Sequence, residues 1–378
     1  MGDQDIMKSH GPPSSDQLTC TFHSKCRPVN PTGETPKQLR KRLEEVYMSG
    51  RPLFTKKNIR YAWAQTKRTP GNGGKLYSKD FRGNTIEHDI TIGRSHDWDH
   101  HLCGGCQEHQ RYAMWSNFSL FYVSKDTLKA NLKNKNDDAL LSPVSILHRG
   151  YLVDAKTNQA LPPVPTIEFE RVDMVNRIRN YEWKGSLACR KLKAILSASA
   201  QAHDIKKTIS FALGCFSSTA LHYCECKRSM AQHALLRTLK EWLQKKNGSK
   251  SPCYAQDPGY NSIDKRILGE SGIQVIDDPC GWLEVDEQSM VVSIGASLPV
   301  KEIIADIARP AVIIWERVGV TEAIGLAGNS DLADPGSLRV LQMMEDYEVH
   351  DFGAGEELSA WGSLGLYIRK SKTAPNFR

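Results

Sequence analysis

The chain has 378 residues, 40% of them hydrophobic, with 50 Lys and Arg against 43 Asp and Glu and a formal net charge of +7. This length suits about two globular domains. No apolar run approaches the ~20 residues that a membrane span requires, and the first residues lack the basic-then-apolar order of a secretory signal. These features predict a cytoplasmic protein without a membrane partner, whose 10 cysteines are reduced thiols.

Composition divides the chain into three regions. Residues 1–33 are rich in Pro, Ser, Gly and Thr, which predicts a disordered N-terminus. Residues 34–165 form a helical or mixed region: Thr35 and Pro36 are suited to the cap and first turn of one helix, and a second helix follows through Ile59 and Trp63. Residues 166–378 are predicted to form the catalytic α/β domain.

The mixed region contains the chain's strongest metal-like motif, the C-x-x-C pair Cys103 and Cys106. Four histidines lie close to this pair in the sequence: His96, His100, His101 and His109. Structural zinc usually takes four ligands from two such pairs, and no second C-x-x-C follows. A zinc site and a polar surface loop with reduced thiols both stay open, and no metal is predicted for the active site.

The α/β domain is organised around one strand-turn-helix. An apolar run from Ile209 to Leu213 stops at Gly214, passes through Ser217 and Ser218, and gives way to helical spacing. Further apolar runs alternate with helical segments: Cys253–Gln256, Ile273–Ile276, Met290–Ile294 and Ala311–Trp315. The pattern predicts a Rossmann-like, three-layer α/β fold with an open, mostly parallel sheet, whose ligands bind at the carboxyl ends of the strands.

The turn after the first strand excludes three common sites. It lacks the G-x-G-x-x-G dinucleotide fingerprint, the phosphate-binding P-loop and the G-x-S-x-G nucleophile elbow. What it offers is Cys215, Ser217 and Ser218, as candidate nucleophiles or acyl carriers, and backbone N–H groups that would stabilise an anion or oxyanion. The alternative is that one of the serines caps the next helix.

Acidic residues follow a later strand of the domain. Asp277 and Asp278 end an apolar run, Glu284 comes six residues further on, and all three are expected at the same carboxyl edge as the turn. They suit a general base or bidentate recognition of an arginine guanidinium, although a turn that bonds only local backbone is the alternative. Five more residues are expected at this edge as substrate-binding groups: Gly214, Gln232, Asp257, Tyr260 and Glu316.

Basic residues cluster before the first strand of this domain. Six of them are candidates for binding a polyanion: Arg177, Arg179, Lys184, Arg190, Lys191 and Lys193. The alternative is an ordinary solvated helix face.

The motifs ALGCFSSTA, MAQHALL, CYAQDPGYNSIDKRIL, GIQVIDDPCGWLEVDEQSMVVSI and RPAVIIWERV, together with Gly50–Thr55, resemble the fungal branch of the sensitivity-to-red-light-reduced-like family. The resemblance is close over about Thr208–Val318 and fails over Arg68–Leu161. Some members are regulatory proteins. A filamentous-fungal subset comprises arginine-containing cyclodipeptide synthases, which use charged tRNAs and carry a DD-x-x-E-like motif. Asp277 and Asp278 match that motif, but Gly281 stands where its acid is expected, and Glu284 is the nearest acid.

The resemblance implies a tRNA-dependent synthase that joins arginine from Arg-tRNA to the aminoacyl group of a second charged tRNA, releasing a cyclo(Arg-Xaa) diketopiperazine for secondary metabolism. An aminoacyl ester is already activated, so no ATP site or other cofactor is needed. In related bacterial enzymes a serine after a strand carries the first aminoacyl group, which points to Ser217 or Ser218. The expected partners are aminoacyl-tRNAs, without DNA. A non-catalytic regulatory or ligand-binding module is the alternative.

Overall fold

The computed structural model describes residues 19–23, 26–29, 32–68, 74–90, 95–97, 111–132, 141–154, 183–217, 223–319, 334, 336–353 and 363–371. The chain splits into two compact units, Met1–Pro165 and Thr166–Arg378. Within the described ranges, no helix has both the length and the apolar character needed to cross a membrane.

The N-terminal unit contains two antiparallel sheets and three described helices. Its strands are β1 (Thr19–His23), β2 (Cys26–Pro28), β3 (Lys75–Lys79), β4 (Thr85–Asp89), β5 (Ser95–Asp97), β6 (Arg111–Tyr122) and β7 (Val144–Asp154). Its helices are α1 (Pro36–Met48), α2 (Lys56–Thr66) and α3 (Lys125–Asn131). The sheets have the strand orders β1-β7-β6-β5 and β2-β4-β3. Leu76, Ile90 and Ile146 form a buried cluster in this unit.

Local capping explains where α1 begins. The Thr35 hydroxyl accepts from the Gln38 N–H, the Gln38 side chain accepts from the Thr35 N–H, and Pro36 occupies the first turn. This capping box satisfies N–H groups that the helix itself leaves unpaired, so the predicted start of the helix is confirmed.

The N-terminus differs from the predicted disorder up to residue 33. Thr19–His23 pairs with β7 in register Thr19↔Tyr151, and Cys26–Pro28 pairs with β4. Strand pairing with distant segments outweighs the local composition from which disorder was expected.

The C-terminal unit alternates helices and strands. Its described strands are β8 (Lys207–Phe211), β9 (Cys253–Gln256), β10 (Gln274–Val275), β11 (Ser289–Ser293), β12 (Val312–Glu316), β13 (Tyr347–His350) and β14 (Leu364–Arg369). Its described helices are α4 (Leu187–Ser199), α5 (Tyr223–Asn247), α6 (Ser262–Glu270), α7 (Cys280–Glu284), α8 (Val300–Ile307) and α9 (Leu338–Met344).

These strands form one large, mostly parallel sheet in the order β10-β9-β8-β11-β12-β14-β13. Pairing from β10 through β12 is parallel, whereas β14 runs antiparallel to both of its neighbours. The chain proceeds outward from β8 to β10 and then returns to place β11 on the other side of β8. This reversal creates a switch point between β8 and β11, where open α/β sheets bind ligands. The predicted α/β class with a mostly parallel sheet is confirmed.

Both faces of the sheet are buried, as parallel sheets require. On β11, Met290 and Val292 belong to a core cluster that includes residues of α4, α5 and α6. Val291 lies between them, points to the opposite face and is equally buried, outside that cluster. On this second face the Phe211 ring stacks on Trp282 of α7, with centroids 3.8 Å apart.

The contact between α7 and the sheet depends on Gly281. A Cβ added there would lie 2.7 Å from both Gln256 Oε1 and Phe211 Cε1. We expect Gly281→Ala to lower the free energy of unfolding by about 1–3 kcal/mol, because the side chains around it are closely packed. Urea unfolding measures this change.

Gly269→Ala is the matched control. Gly269 lies in α6, and a Cβ there meets nothing within 4 Å, so helix propensity leaves stability unchanged or slightly higher. Equal losses in the two variants would contradict the packing argument.

Candidate functional site

The turn that follows β8 (residues 212–217, the β8 turn) has a strained backbone. Ala212 has φ 54° and Gly214 has φ 74°, both in the left-handed region. Glycine adopts this region readily, whereas alanine does so at a cost of roughly 1–3 kcal/mol. Such a turn persists only where surrounding interactions fix it.

Two buried or partly buried carboxylates hold the β8 turn. The Gly214 N–H donates to Asp257 Oδ2 at 2.7 Å, and the N–H groups of Phe216 and Ser217 donate to Asp264 Oδ1 at 3.3 and 3.1 Å. These three N–H groups were predicted to be available to an anion or oxyanion. The expectation is not met for them, because the protein's own carboxylates already occupy the donors.

Asp257 and Asp264 are themselves held in place. Asp257 also accepts from the Gly259 N–H at 2.8 Å, and burial raises its pKa despite these two bonds. Asp264 forms a capping box with Asn261 at the start of α6. Asp257 thus binds the turn, not a substrate, in this structure.

Ser217 is fully buried and structural in this conformation. Its hydroxyl donates to Asn261 Oδ1 at 2.9 Å, and the Asn261 side chain also lies 3.7 Å from Cys215 Sγ. Cys215 is buried as well. Ser217 therefore caps no following helix and presents no exposed nucleophile. Ser218, the other candidate, lies outside the described residues.

Tyr260 is bonded to His233 below the β8 turn. His233 Nδ1 lies 2.7 Å from the Ser229 carbonyl, which can only accept, so Nδ1 carries the proton and Nε2 accepts from the Tyr260 hydroxyl at 2.7 Å. Burial lowers the pKa of His233 to about 4 and raises that of Tyr260 well above its usual value. Both groups are neutral at pH 7 and buried, which does not fit the expected role of Tyr260 at the open edge.

Asp277 and Asp278 (the carboxylate pair) lie just beyond β10. Asp277 is exposed, and its carboxylate has no partner among the described residues. Asp278 accepts from Gln256 Nε2 at 2.9 Å and Trp282 Nε1 at 3.1 Å. Gln256 Oε1 in turn accepts from the Gly281 N–H at 2.7 Å. One carboxylate is therefore fixed, and its neighbour faces solvent.

Glu284 does not share this edge. It ends α7 and pairs with Lys207 Nζ at 3.1 Å, as Asp286 does at 3.0 Å. Lys207 begins β8, whereas Phe211 ends it, so Glu284 lies about 13 Å away, at the amino end of the strand. The prediction of three acids at one edge is wrong for Glu284, because α7 runs back along the sheet.

The structure likewise does not join Ser217 to the carboxylate pair. Ser217 bonds to the start of α6, on the face that holds the large core cluster, while Asp278 bonds to Trp282 of α7 on the opposite face. Within the described residues no hydrogen bond connects them.

Gln232 and Glu316 meet at the end of β11. Gln232 Nε2 lies 3.4 Å from the Ile294 carbonyl, and the next residue, Gly295, donates its N–H to Glu316. Glu316 also pairs with Lys301 Nζ at 3.0 Å. Both side chains therefore lie at the switch point, as the sequence predicted.

Lys301, Glu316 and Asp334 (the Lys301 cluster) form a largely buried charge group. Lys301 Nζ contacts Asp334 Oδ2 at 3.0 Å, and each of these two side chains is only 5% exposed. Burial raises the pKa of Asp334 to about 6. Burial opposes the charged form of Lys301, but the carboxylates of Asp334 and Glu316 outweigh it and raise the Lys301 pKa.

The basic candidates lie at and before α4. Lys184, Arg190 and Lys191 are exposed, Lys193 is half-buried, and none forms an ion pair within the described residues. Arg177 and Arg179 lie outside the described residues, as do Cys103 and Cys106. The part of the chain that the structure describes contains no group of three or more metal-ligating side chains placed to hold an ion.

Comparison with protein families identifies this region. Residues 187–339 match the model of the SRR1 domain. The match begins at α4, includes the β8 turn, the carboxylate pair and the Lys301 cluster, and supports the SRR1-like family. It does not distinguish the cyclodipeptide synthase branch.

Other comparisons add little to the SRR1 match. No curated protein matches the chain significantly. Among solved structures, the chain is similar to the MycE methyltransferase of the mycinamycin biosynthetic pathway, in complex with Mg, SAH and mycinamycin VI. The identity is 11%, over 90% of this chain and 98% of that chain, with a TM-score of 0.28. A likeness at that TM-score carries no conclusion about activity.

Several residues that build the SRR1 site escaped the sequence analysis: Ser229, Gln256, Asp264 and Lys301. Asn261 and Asp264 carried a recognisable signal, because N-x-x-D before an apolar run is the pattern of a capping box. Gln256 and Lys301 carried none, since their roles depend on partners 22 to 33 positions away.

The neutral His233 predicts an acid sensitivity. Its folded pKa of about 4 lies below the unfolded value of 6.5, so only the unfolded chain takes up this proton between those pH values. This residue therefore contributes a loss of about 3 kcal/mol in stability as the pH falls from 7 to 4. Urea unfolding of the wild type and His233→Gln at both pH values isolates the term, because His88 and His148 are present in both proteins. Equal losses on acidification would contradict it.

Proposed function

We propose that this SRR1-domain protein is an aminoacyl-tRNA-dependent transferase that makes an arginine-containing cyclic dipeptide. The observation that supports the proposal is the carboxylate pair: exposed Asp277 beside Asp278, which Gln256 and Trp282 hold at the carboxyl edge of a parallel sheet. A planar guanidinium makes paired hydrogen bonds to carboxylates, so an arginyl group is the ligand that this arrangement suits.

The chemistry needs no external energy source. A hydroxyl of the protein attacks the ester carbonyl of arginyl-tRNA and takes over the aminoacyl group, and the tRNA leaves with its terminal hydroxyl restored. The amine of the second aminoacyl group then attacks this ester and releases the protein hydroxyl. Finally the arginyl amine attacks the remaining ester, which closes the ring and frees the second tRNA. Closure gains from holding both ends together.

The assignment of the carrier hydroxyl follows from burial. Ser217 is fully buried and donates to Asn261, so we assign the carrier to Ser218, the other hydroxyl that the sequence offers here. Asp277 and Asp278 bind the guanidinium or handle protons. Glu284 has no direct role in this scheme, because it lies at the other end of β8.

Unpaired basic residues of the SRR1 domain supply the tRNA contact in this proposal. Lys184, Arg190, Lys191 and Lys193 project from one short stretch, and Arg177 and Arg179 precede them in the sequence. Cations without an acidic partner bind phosphates at no cost in broken ion pairs, and such binding weakens steeply with salt.

A second candidate function is a non-catalytic ligand-binding or regulatory module. The occupied N–H groups of the β8 turn and the burial of Ser217 favour it, because they leave no exposed nucleophile within the described turn. It predicts ligand or partner binding through the same carboxylates without turnover.

Product analysis separates the two functions. We expect expression in a heterologous host to release an arginine-containing diketopiperazine, detected by mass spectrometry of the medium. Asp277→Asn, which removes the exposed charge, is expected to reduce product at least tenfold, since a hydrogen-bonded ion pair contributes about 1.5–3 kcal/mol. Ser218→Ala is expected to abolish product, and Ser217→Ala to lower stability more than turnover.

Glu287→Gln is the matched control, because this exposed acid lies in the loop before β11. Glu284→Gln is expected to retain product. The absence of any such product from the wild type, or full product from Asp277→Asn, would leave the binding module as the better description.

tRNA binding is tested separately. The double variant Arg190→Glu with Lys191→Glu is expected to weaken binding of bulk tRNA. It should also reduce the salt dependence of binding, by about one unit of slope for each phosphate that is no longer neutralised. Filter binding at several salt concentrations measures both quantities. Lys245→Glu, an exposed change on α5, is the control, and an equal effect there would point to net charge alone.

A further inference from the structure

Gln232 has an unused acceptor inside the crevice of the SRR1 domain. The side chain is 95% buried by its 5% exposure, and Oε1 has no donor within the described part of the chain. Its Nε2 reaches the Ile294 carbonyl, next to Gly295, whose N–H binds Glu316. A buried amide oxygen without a donor costs about 1–3 kcal/mol, which a ligand with an N–H group would recover.

The neighbouring Lys301 cluster lacks one positive charge. Two carboxylates, Glu316 and Asp334, face the single ammonium of Lys301, which leaves a net charge of −1. The Glu316 side chain is 29% exposed, so a ligand reaches it from the crevice. The raised pKa of Asp334 is consistent with this deficit, since an added cation would favour its charged form.

The donors and acceptors indicate a protonated amine and not a metal ion. One amide oxygen and a carboxylate already bonded to Gly295 and Lys301 are too few ligands for Ca²⁺ or Mg²⁺, which take six or more oxygens. An ammonium needs only two or three acceptors, and its N–H groups match Gln232 Oε1 and Glu316.

We propose that Gln232 and Glu316 form a subsite for the α-ammonium group of the aminoacyl substrate. This inference rests on the proposed function for the identity of the ligand. β9, which carries Gln256, and β11 are both neighbours of β8, so they lie about 10 Å apart. A ligand with a cationic group at each end, as in an arginyl ester, suits the carboxylate pair at one side of β8 and the subsite at the other.

The test uses two small esters and the full-length protein. L-arginine methyl ester has both cationic groups, whereas Nα-acetyl-L-arginine methyl ester keeps the guanidinium and loses the α-ammonium. Isothermal titration calorimetry at pH 7 is expected to show about tenfold tighter binding of the free amine to the wild type, the effect of one charged hydrogen bond. Gln232→Leu and Glu316→Gln are each expected to remove this preference.

Two comparisons keep the result specific. Gln288→Leu, at an exposed glutamine outside the crevice, should retain the wild-type preference, and Asp277→Asn should weaken both esters while retaining their ratio. Thermal unfolding establishes that each variant is folded, and if Gln232→Leu is not, Glu316→Gln decides. A preference that survives in the folded variants, or no ester binding to the wild type, overturns the proposal.

Ester binding does not depend on turnover, so the two proposals fail separately. An amine preference without any diketopiperazine keeps the subsite and rejects the synthase. Diketopiperazine formation without an amine preference does the reverse.

Discussion

The hydrogen bonds from the β8 turn to Asp257 and Asp264 are the interactions on which the rest of the domain depends. Left-handed Ala212 and Gly214 bring the chain out of β8 at an angle that is unfavourable for alanine. Three backbone N–H groups then donate to the two carboxylates, and bonds to charged groups of this kind contribute roughly 1.5–3 kcal/mol each. The turn is therefore stable because β9 and α6 supply its anions.

This internal occupation determines where a ligand can bind. In many open α/β sheets the N–H groups of the first turn bind a phosphate. Here Asp264 holds two of them, and its other oxygen accepts from the Asn261 N–H at 3.2 Å, so a phosphate would have to displace a buried charge. Unused acceptors occur instead on either side of the turn, at Asp277 and at Gln232. Both attract donors and cations.

The sequence predicted the fold better than the site. Apolar runs located β8, β9, β11 and β12, because each of these strands is buried on both faces. Site geometry failed where the chain reverses: Glu284 follows Asp278 by six residues, but the intervening helix carries it to the amino end of β8. Ser217 failed for another reason, since residue type does not reveal whether a hydroxyl at a turn is exposed or bonded to Asn261.

Charges of the two signs are separated within the SRR1 domain, although the whole chain has a net charge of only +7. Lys184, Arg190 and Lys191 are exposed and unpaired around the start of α4, while the carboxyl edge carries exposed Asp277 and the negative Lys301 cluster. A free amino acid would gain nothing from the basic residues, and a nucleic acid alone would be repelled by the acidic edge. An arginyl-tRNA has a polyanionic body and a cationic end, so it gains from both regions. That match of opposite charges favours a charged tRNA over either component alone.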